Sequence, residues 1–292
     1  MASAVFTGHY AKKHLFIIQK ENTVILNSFK WLWHLVPIKF RSNMAKLRSV
    51  LRGGAVILDP TYADDGLISQ HVTSFMADKK FIDSYNKGKK LGALDGHPGD
   101  IHFRAYVACW ASKYALNLDG DFLECGVGKA LLSKTIVEYL DFKTIEKKFY
   151  LFDTYQGIPI DAGRDTSENK NIEFLNKAHF NEDYYQKVAQ FFKGYDNVIL
   201  CKGRIPDSFE GVPIQQLAYI SIDMNNAKAE MAAINYLWKF LVVGGVVVLD
   251  DYSYGVEFLA QKEVWDNFAK KMNTPILTLP TGQGLLFKQV NA

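Results

Sequence analysis

The sequence is poor in the features that define several classes of protein. Its 292 residues include only three cysteines, Cys109, Cys125 and Cys201, and none has a partner at the spacing of a metal site or a disulfide framework. This usage predicts reduced thiols and therefore a reducing, cytoplasmic compartment. No stretch reaches the roughly 18 uninterrupted apolar residues of a spanning helix, so no transmembrane segment is expected. The formal net charge is only +3, which gives no general attraction to nucleic acid.

The positive charge is nevertheless concentrated near the amino terminus. In the first sixty residues only Glu21 and Asp59 oppose nine lysines and arginines. Residues 1–100 predict a mainly helical appendage, and two interpretations of it are open. One is a helix that makes weak contact with a membrane surface. The other, which we expect, is a helix that packs on the main domain or on a second subunit of a homo-oligomer, because the lysines do not segregate to one face.

From about residue 101 to residue 292, short apolar runs alternate with longer helical patterns. The predicted strands are 121–125, 148–153, 197–201, 218–223, 245–250, 275–279 and 284–288, and the predicted helices are 101–116, 129–140, 181–193, 227–240 and 257–271. Such alternation predicts an α/β domain with a Rossmann-like, mostly parallel seven-stranded sheet. Only Pro280-Thr281-Gly282-Gln283 separates the last two strands. They should therefore form a carboxyl-terminal antiparallel hairpin.

The first predicted strand of this domain runs into a glycine turn, Glu124-Cys125-Gly126-Val127-Gly128. Glycines allow a backbone to approach a ligand closely, but the third glycine of a dinucleotide fingerprint is missing. A pyrophosphate is therefore disfavoured, and the acidic strand end suits the sulfonium cofactor S-adenosylmethionine. The second strand ends in Asp153, which could accept both ribose hydroxyls of an adenosine. The alternative is that Asp153 only caps the following turn.

Three further carboxylates follow two other predicted strands. Asp223 ends one strand, and Asp250 and Asp251 end the next. Parallel strands place such residues at one edge of a sheet, where converging carboxylates repel unless a cation joins them. Oxygen-only ligands favour Mg²⁺ or a similarly hard ion, which would lower the pKa of a substrate hydroxyl. The alternative is that these aspartates cap helices and loops.

A polar segment, residues 160–185, is expected to be a long loop that acts as a lid over the acceptor. His179 within it is a candidate general base, although a solvated or helix-capping histidine is the alternative. Tyr252, Tyr254 and Gln283 follow strand ends at the same edge and are candidate substrate contacts, with loop packing as the alternative.

Residues 102–288 resemble the macrocin O-methyltransferase (TylF/MycF-like) family of class I methyltransferases. The matching stretches are residues 120–127, 152–159 and 242–252, of which Phe152-Asp153-Thr154-Tyr155-Gln156-Gly157-Ile158-Pro159 is the most specific. The resemblance implies a sugar-hydroxyl acceptor and an arginine, Arg104, that reaches the cofactor carboxylate or the substrate. In the family, the strand that ends at Asp223 continues with a carboxylate where this chain has Asn225, which weakens either the metal affinity or the carry-over of the substrate contacts.

The resemblance also implies an S-adenosylmethionine site at Glu124, Gly126 and Asp153 and a Mg²⁺ site at Asp223, Asp250 and Asp251. The complete expected cofactor site comprises Arg104, Glu124, Gly126, Val127, Gly128, Ser133, Asp153, Thr154, Gly203, Arg204 and Asp223. The expected metal ligands are Asp223, Asp250 and Asp251, and the expected catalytic groups are Asp223 and His179.

These observations together predict an S-adenosylmethionine- and Mg²⁺-dependent O-methyltransferase that acts on a sugar or a glycosylated small molecule. Two alternatives stay open. One is a catechol-type O-methyltransferase that acts on a phenolic hydroxyl. The other is a non-catalytic scaffold that retains the fold.

Overall fold

A seven-stranded sheet forms the centre of the protein. The computed structural model describes residues 59–91, 99–160, 166–179, 183–255 and 259–290. The sheet strands are β3 (Asp121–Cys125), β4 (Phe149–Asp153), β5 (Val198–Lys202), β6 (Leu217–Ile222), β7 (Leu241–Leu249), β8 (Ile276–Thr278) and β9 (Gly284–Phe287). A short hairpin of β1 (Tyr62–Asp64) and β2 (Leu67–Ser69) precedes them.

Helices connect and cover the strands. They are α1 (Ser74–Ala77), α2 (Lys79–Gly88), α3 (His102–Ala115), α4 (Leu131–Tyr139), α5 (Thr166–His179), α6 (Tyr185–Phe191), α7 (Ala227–Leu237) and α8 (Leu259–Lys271). Side-chain caps fix two of the starts: Asn226 accepts the backbone N–H of Ala229 at 2.9 Å, and Asp78 accepts that of Phe81 at 3.1 Å. Such caps satisfy N–H groups that the first helical turn leaves unpaired. Among the described residues no helix has the length and apolar character needed to cross a bilayer.

The sheet has the order β5-β4-β3-β6-β7-β9-β8. The first five strands in this order are parallel, and β9 runs antiparallel to both β7 and β8. The predicted mostly parallel, Rossmann-like sheet with an antiparallel carboxyl-terminal pair is confirmed. The strand order reverses between β3 and β6, and this is the place where open α/β sheets bind ligands.

The central strands are buried on both faces, as expected for parallel strands between two layers of helices. Successive side chains of β3 enter opposite cores: Phe122 packs on one face and Leu123 on the other. The first core contains Ala108 of α3 and Ile136 of α4, and the second contains Trp265 of α8. The sheet is therefore a rigid, doubly covered platform for the residues at its edge.

Strand register aligns the strand ends. Cys125 pairs with Phe152 on one side and with Ile222 on the other, and Ile222 pairs with Leu249. One residue further along each strand come Gly126 after Cys125, Asp153 after Phe152, Asp223 after Ile222 and Asp250 after Leu249. The glycine turn and the three aspartates therefore emerge side by side.

Segment 160–185 and the amino-terminal appendage differ from the prediction or lie partly outside the described residues. The segment 160–185 is not one long loop, because α5 occupies Thr166–His179 and α6 begins at Tyr185. The prediction failed because the sequence of α5 is polar and has little apolar periodicity, which is the main sequence signal of a helix. The burial of Ile172 shows that this helix nevertheless packs on the rest of the protein. Residues 61–91, within the predicted appendage, belong to the same unit as the sheet. Residues 1–58 lie outside the described part, so the appendage stays a prediction there.

Candidate active site at the strand-order reversal

A cavity of about 540 Å³ opens at the carboxyl ends of β3, β4, β6 and β7. This volume lies within the usual range for small-molecule sites. The glycine turn after β3 forms part of the wall, together with the strand ends and the start of α7. The cavity therefore lies where the topology predicts a ligand.

Asp153 holds the glycine turn in place. Its Oδ2 accepts the backbone N–H groups of Val127 at 2.7 Å and Gly128 at 2.8 Å. Its Oδ1 accepts the N–H of Tyr155 at 2.6 Å and the hydroxyl of Tyr184 at 3.3 Å. Burial raises the pKa of Asp153, and these donors oppose the rise by stabilising the ionised form. The hydrogen bonds of Asp153 are thus those of a residue that caps neighbouring turns, which was the alternative interpretation. Its contact with a ribose stays a prediction.

Gly126 has a packing role that the sequence did not reveal. It adopts φ +87°, and a Cβ atom there would lie 1.8 Å from the backbone oxygen of Asp223. The turn after β3 and the end of β6 can therefore approach each other only when this residue is glycine.

Glu124 is a fully buried carboxylate in the cavity wall. It is 1% exposed, and its Oε2 has no hydrogen-bond partner among the described residues. Burial raises its pKa to about 8, while the neighbouring Ser133 hydroxyl partly offsets the rise. A buried acceptor without a donor is costly, so this oxygen is suited to receive a cationic N–H group from a ligand.

Three further carboxylates of the cavity lining lie close together. One oxygen each of Asp223, Asp250 and Asp251 lies within 4.8 Å of the others. Burial, followed by the charge of Asp250, raises the pKa of both Asp223 and Asp251 well above the ordinary value. Such a cluster is unfavourable as three free anions and fits a hard cation with oxygen ligands. Asn225 donates to Asp223 Oδ1 at 3.4 Å.

Arg104 joins this cluster to the amino-terminal hairpin. Its NH1 donates to Asp250 Oδ2 at 2.5 Å, and its Nε donates to Asp65 Oδ2 at 2.8 Å. The guanidinium lies 5.0 Å from the ring centre of Tyr254. Gln283 donates its Nε2 to Asp250 Oδ1 at 2.9 Å. Both oxygens of Asp250 are therefore held by buried donors.

A family model for macrocin-O-methyltransferases (TylF) matches residues 99–281. This match covers the glycine turn, the three aspartates and Arg104. The chain belongs to the macrocin-O-methyltransferase family.

The chain is also similar, at low identity, to individual O-methyltransferases. Demethyldecarbamoylnovobiocin O-methyltransferase of Streptomyces niveus is 26% identical over 144 residues, 47% of this chain and 54% of the relative. Mycinamicin III 3''-O-methyltransferase of Micromonospora griseorubida is 25% identical over 153 residues, 49% of this chain and 59% of the relative. The chain thus matches little more than half the length of these relatives. The solved structure of the O-methyltransferase NovP has the same fold, with a TM-score of 0.57, 19% identity, and coverage of 71% of this chain and 88% of that one.

The structure of this macrocin-O-methyltransferase family member brings most of the expected site residues to the cavity. The expected residues that line it are Arg104, Glu124, Gly126, Val127, Gly128, Asp153, Thr154, Gly203, Arg204, Asp223, Asp250, Asp251 and Tyr254. Ser133 lies behind this wall, beside Glu124. For His179 the side chain lies outside the described part of the structure.

Two expected substrate contacts are directed elsewhere. The hydroxyl of Tyr252 donates to Asp266 of α8 and accepts a hydrogen bond from Lys262 Nζ at 3.2 Å. Tyr252 does not line the cavity. Gln283 is fully buried behind Asp250. Both residues follow strand ends, as the sequence indicated, but residues at one edge of a sheet can face either layer. The geometry therefore gives a substrate role to neither.

The features that the sequence did not reveal include one residue of the cavity lining and one residue behind it. Leu175 of α5 lines the cavity, and the polar composition of this segment hid the helix. Asp65 lies in the turn between β1 and β2, next to Arg104. The dipeptide Asp65-Gly66 is a hairpin signal, but no local pattern could show that this turn meets a residue 39 positions away.

Proposed function

We propose that the protein is an S-adenosylmethionine-dependent O-methyltransferase that requires Mg²⁺ or a similar divalent cation and acts on a hydroxyl of a sugar or glycosylated small molecule. The observation that carries the proposal is the convergence of Asp223, Asp250 and Asp251 in the lining of a cavity that also contains Glu124 and the glycine turn after it. The glycine turn suits a sulfonium amino acid, and the aspartate cluster suits a metal cation.

The chain supplies binding groups for both ends of the reaction. Oε2 of Glu124, which has no partner in the part of the chain that the structure describes, would accept a hydrogen bond from the ammonium group of the cofactor's methionine portion. Asp153 fixes the adjoining turn through Val127 and Gly128, and we propose that it also meets the ribose. Thr154, Gly203 and Arg204 complete this part of the wall.

The three aspartates would hold the cation. When bound, it supplies Lewis-acid chemistry that lowers the pKa of an acceptor hydroxyl. Asp223 is the proposed acceptor of the proton, because it lines the cavity at the carboxyl end of β6. Tyr254 lines the same cavity, with the Arg104 guanidinium over its ring, and is the proposed acceptor contact. His179 is a second proposed base.

The family relatives support the choice of acceptor. Their names describe O-methylation of demethyldecarbamoylnovobiocin and of mycinamicin III at its 3'' position. We infer by similarity that the acceptor here is also a hydroxylated small molecule.

The proposal extends to the state of the protein in the cell. The three cysteines are free thiols, and two of them are buried, which suits a reducing cytoplasm. We also propose a homo-oligomer, and weak contact with a membrane surface is the alternative role for residues 1–58.

Three measurements on the purified full chain test the proposal. Isothermal titration should show S-adenosylmethionine binding, and turnover on a panel of glycosides and nucleotide sugars should stop in EDTA and return with Mg²⁺. Asp251→Asn should lose turnover, whereas Asp266→Asn removes a carboxylate outside the cavity and should not. Full turnover in EDTA would refute the cation, failure to bind the cofactor would support a scaffold, and methylation of catechols alone would identify the phenolic class.

A further inference from the structure

The hairpin turn between β1 and β2 places one carboxylate in the interior of the active-site wall. Asp65 adopts φ +51° and Gly66 φ +75°, so the chain reverses within two residues. The side chain of Asp65 has no exposed area, and it accepts Arg104 Nε at 2.8 Å and Arg104 NH2 at 3.4 Å. The hairpin thus contributes a buried ion-pair partner rather than a surface charge.

Arg104 divides its donors between two carboxylates. Nε and NH2 face Asp65, and NH1 meets Asp250 Oδ2 at 2.5 Å. Because a guanidinium is a rigid planar fork, two donors held on one carboxylate fix the direction of the third. Asp65 therefore determines how much of the guanidinium reaches the aspartate cluster.

A guanidinium beside a cation site is a potential competitor. It prefers to bind a carboxylate through two parallel N–H groups, and the cluster offers Asp251 as well as Asp250. Arg104 NH1 engages Oδ2 of Asp250, while Gln283 holds Oδ1. Occupation of further cluster oxygens by Arg104 would displace a cation.

We propose that Asp65 is a positioning residue for the cation site: it anchors Arg104 so that the guanidinium orients Asp250 without occupying the remaining carboxylate oxygens. The inference rests on the cation of the proposed function. It assigns to the amino-terminal hairpin a role in metal affinity, exerted through Arg104 and not by contact with the ion.

Mn²⁺ binding, followed by electron paramagnetic resonance on the full chain, tests this role without turnover. Asp65→Asn keeps the shape and suits the positive φ, but it weakens the anchor, so the Kd for Mn²⁺ should rise about tenfold. Asp64→Asn is the matched control. It removes the same charge from the same hairpin, but its side chain lies against Gly99, and its Kd should stay within about twofold of the unchanged protein.

A double-mutant cycle separates anchoring from a simple charge effect. In an Arg104→Gln background there is no guanidinium to restrain, so Asp65→Asn should change the Kd by less than about threefold. If Arg104→Gln does not fold, as judged by circular dichroism, Arg104→Lys serves instead. A single ammonium cannot bridge both carboxylates, and the effect of Asp65→Asn should again shrink.

The outcomes are distinguishable. An unchanged Kd for Asp65→Asn, or an equal loss in both Arg104 backgrounds, overturns the positioning role while the proposed function stands. Absence of Mn²⁺ binding by the unchanged protein refutes the cation of the proposed function, and the positioning role with it.

Discussion

Replacement of Glu124 by glutamine should have two opposite effects. It should make the cofactor-free protein more stable at alkaline pH, and it should weaken the binding of the cofactor. Glu124 lies 1% exposed in the cavity wall, with Oε2 unpartnered among the described residues, and its pKa is raised from 4.5 to about 8 mainly by burial. Glu124→Gln keeps the shape and removes the charge.

The sign of the stability effect follows from the direction of the pKa change. Between pH 4.5 and pH 8 the folded protein holds a proton on Glu124 that the unfolded chain releases. The free energy of unfolding therefore falls as the pH rises through this window. At about 1.36 kcal/mol for each tenfold change in proton affinity, the loss is roughly 4 kcal/mol between pH 5 and pH 8.5.

Urea unfolding of the cofactor-free protein at pH 5 and pH 8.5 measures this loss. The glutamine variant should lack the Glu124 contribution and should be the more stable protein at pH 8.5. Cofactor binding should respond in the opposite way, because the ionised carboxylate is the proposed partner of the ammonium group. Titration should show at least about tenfold weaker S-adenosylmethionine binding by the variant.

Glu230→Gln is the matched control. Glu230 is also fully buried, and burial raises its pKa to about 7, but it accepts Trp265 Nε1 at 2.7 Å and does not line the cavity. This control should change the pH dependence of stability and leave cofactor affinity intact. Equal cofactor affinity of the Glu124 variant and the unchanged protein would refute the assigned role of Glu124. An unchanged pH dependence would refute its buried, protonated state.

Three other substitutions test separate features. Gly126→Ala would place a Cβ atom 1.8 Å from the Asp223 backbone oxygen at φ +87°, so we expect a loss of about 3 kcal/mol or more in urea unfolding and no cofactor binding; retention of both would contradict the close approach. Trp265→Phe removes the donor to Glu230 and should cost about 1–3 kcal/mol in the same assay, whereas an unchanged midpoint would show that this bond contributes little. Tyr252→Phe should leave kcat and KM within about twofold, because its hydroxyl bonds to α8 outside the cavity; a large rise in KM would restore the substrate role.

The sheet could be predicted from the sequence because its signals are local. Val246-Val247-Val248-Leu249 is apolar without alternation, which is typical of a strand covered on both faces. Four residues between the last two strands are too few for a crossover helix. The seven-stranded sheet and its family were therefore predicted correctly. The helix α5 was missed because its sequence has weak apolar periodicity. Tertiary contacts stabilise it instead, such as the hydrogen bonds of the Asn176 side chain with the backbone of Ile158 at 2.7 and 2.8 Å.

By itself, the sequence determined which residue types stand at the strand ends. Residues that follow aligned parallel strands emerge at one edge of the sheet, so the sequence pattern alone places Asp153, Asp223 and Asp250 at the same edge. Only the tertiary structure decided what each side chain meets. The two oxygens of Asp250 are held by donors from α3 and from the segment before β9, and Arg104 is shared with a hairpin turn. Such contacts depend on how separate layers pack in three dimensions, and no local pattern in the chain encodes them.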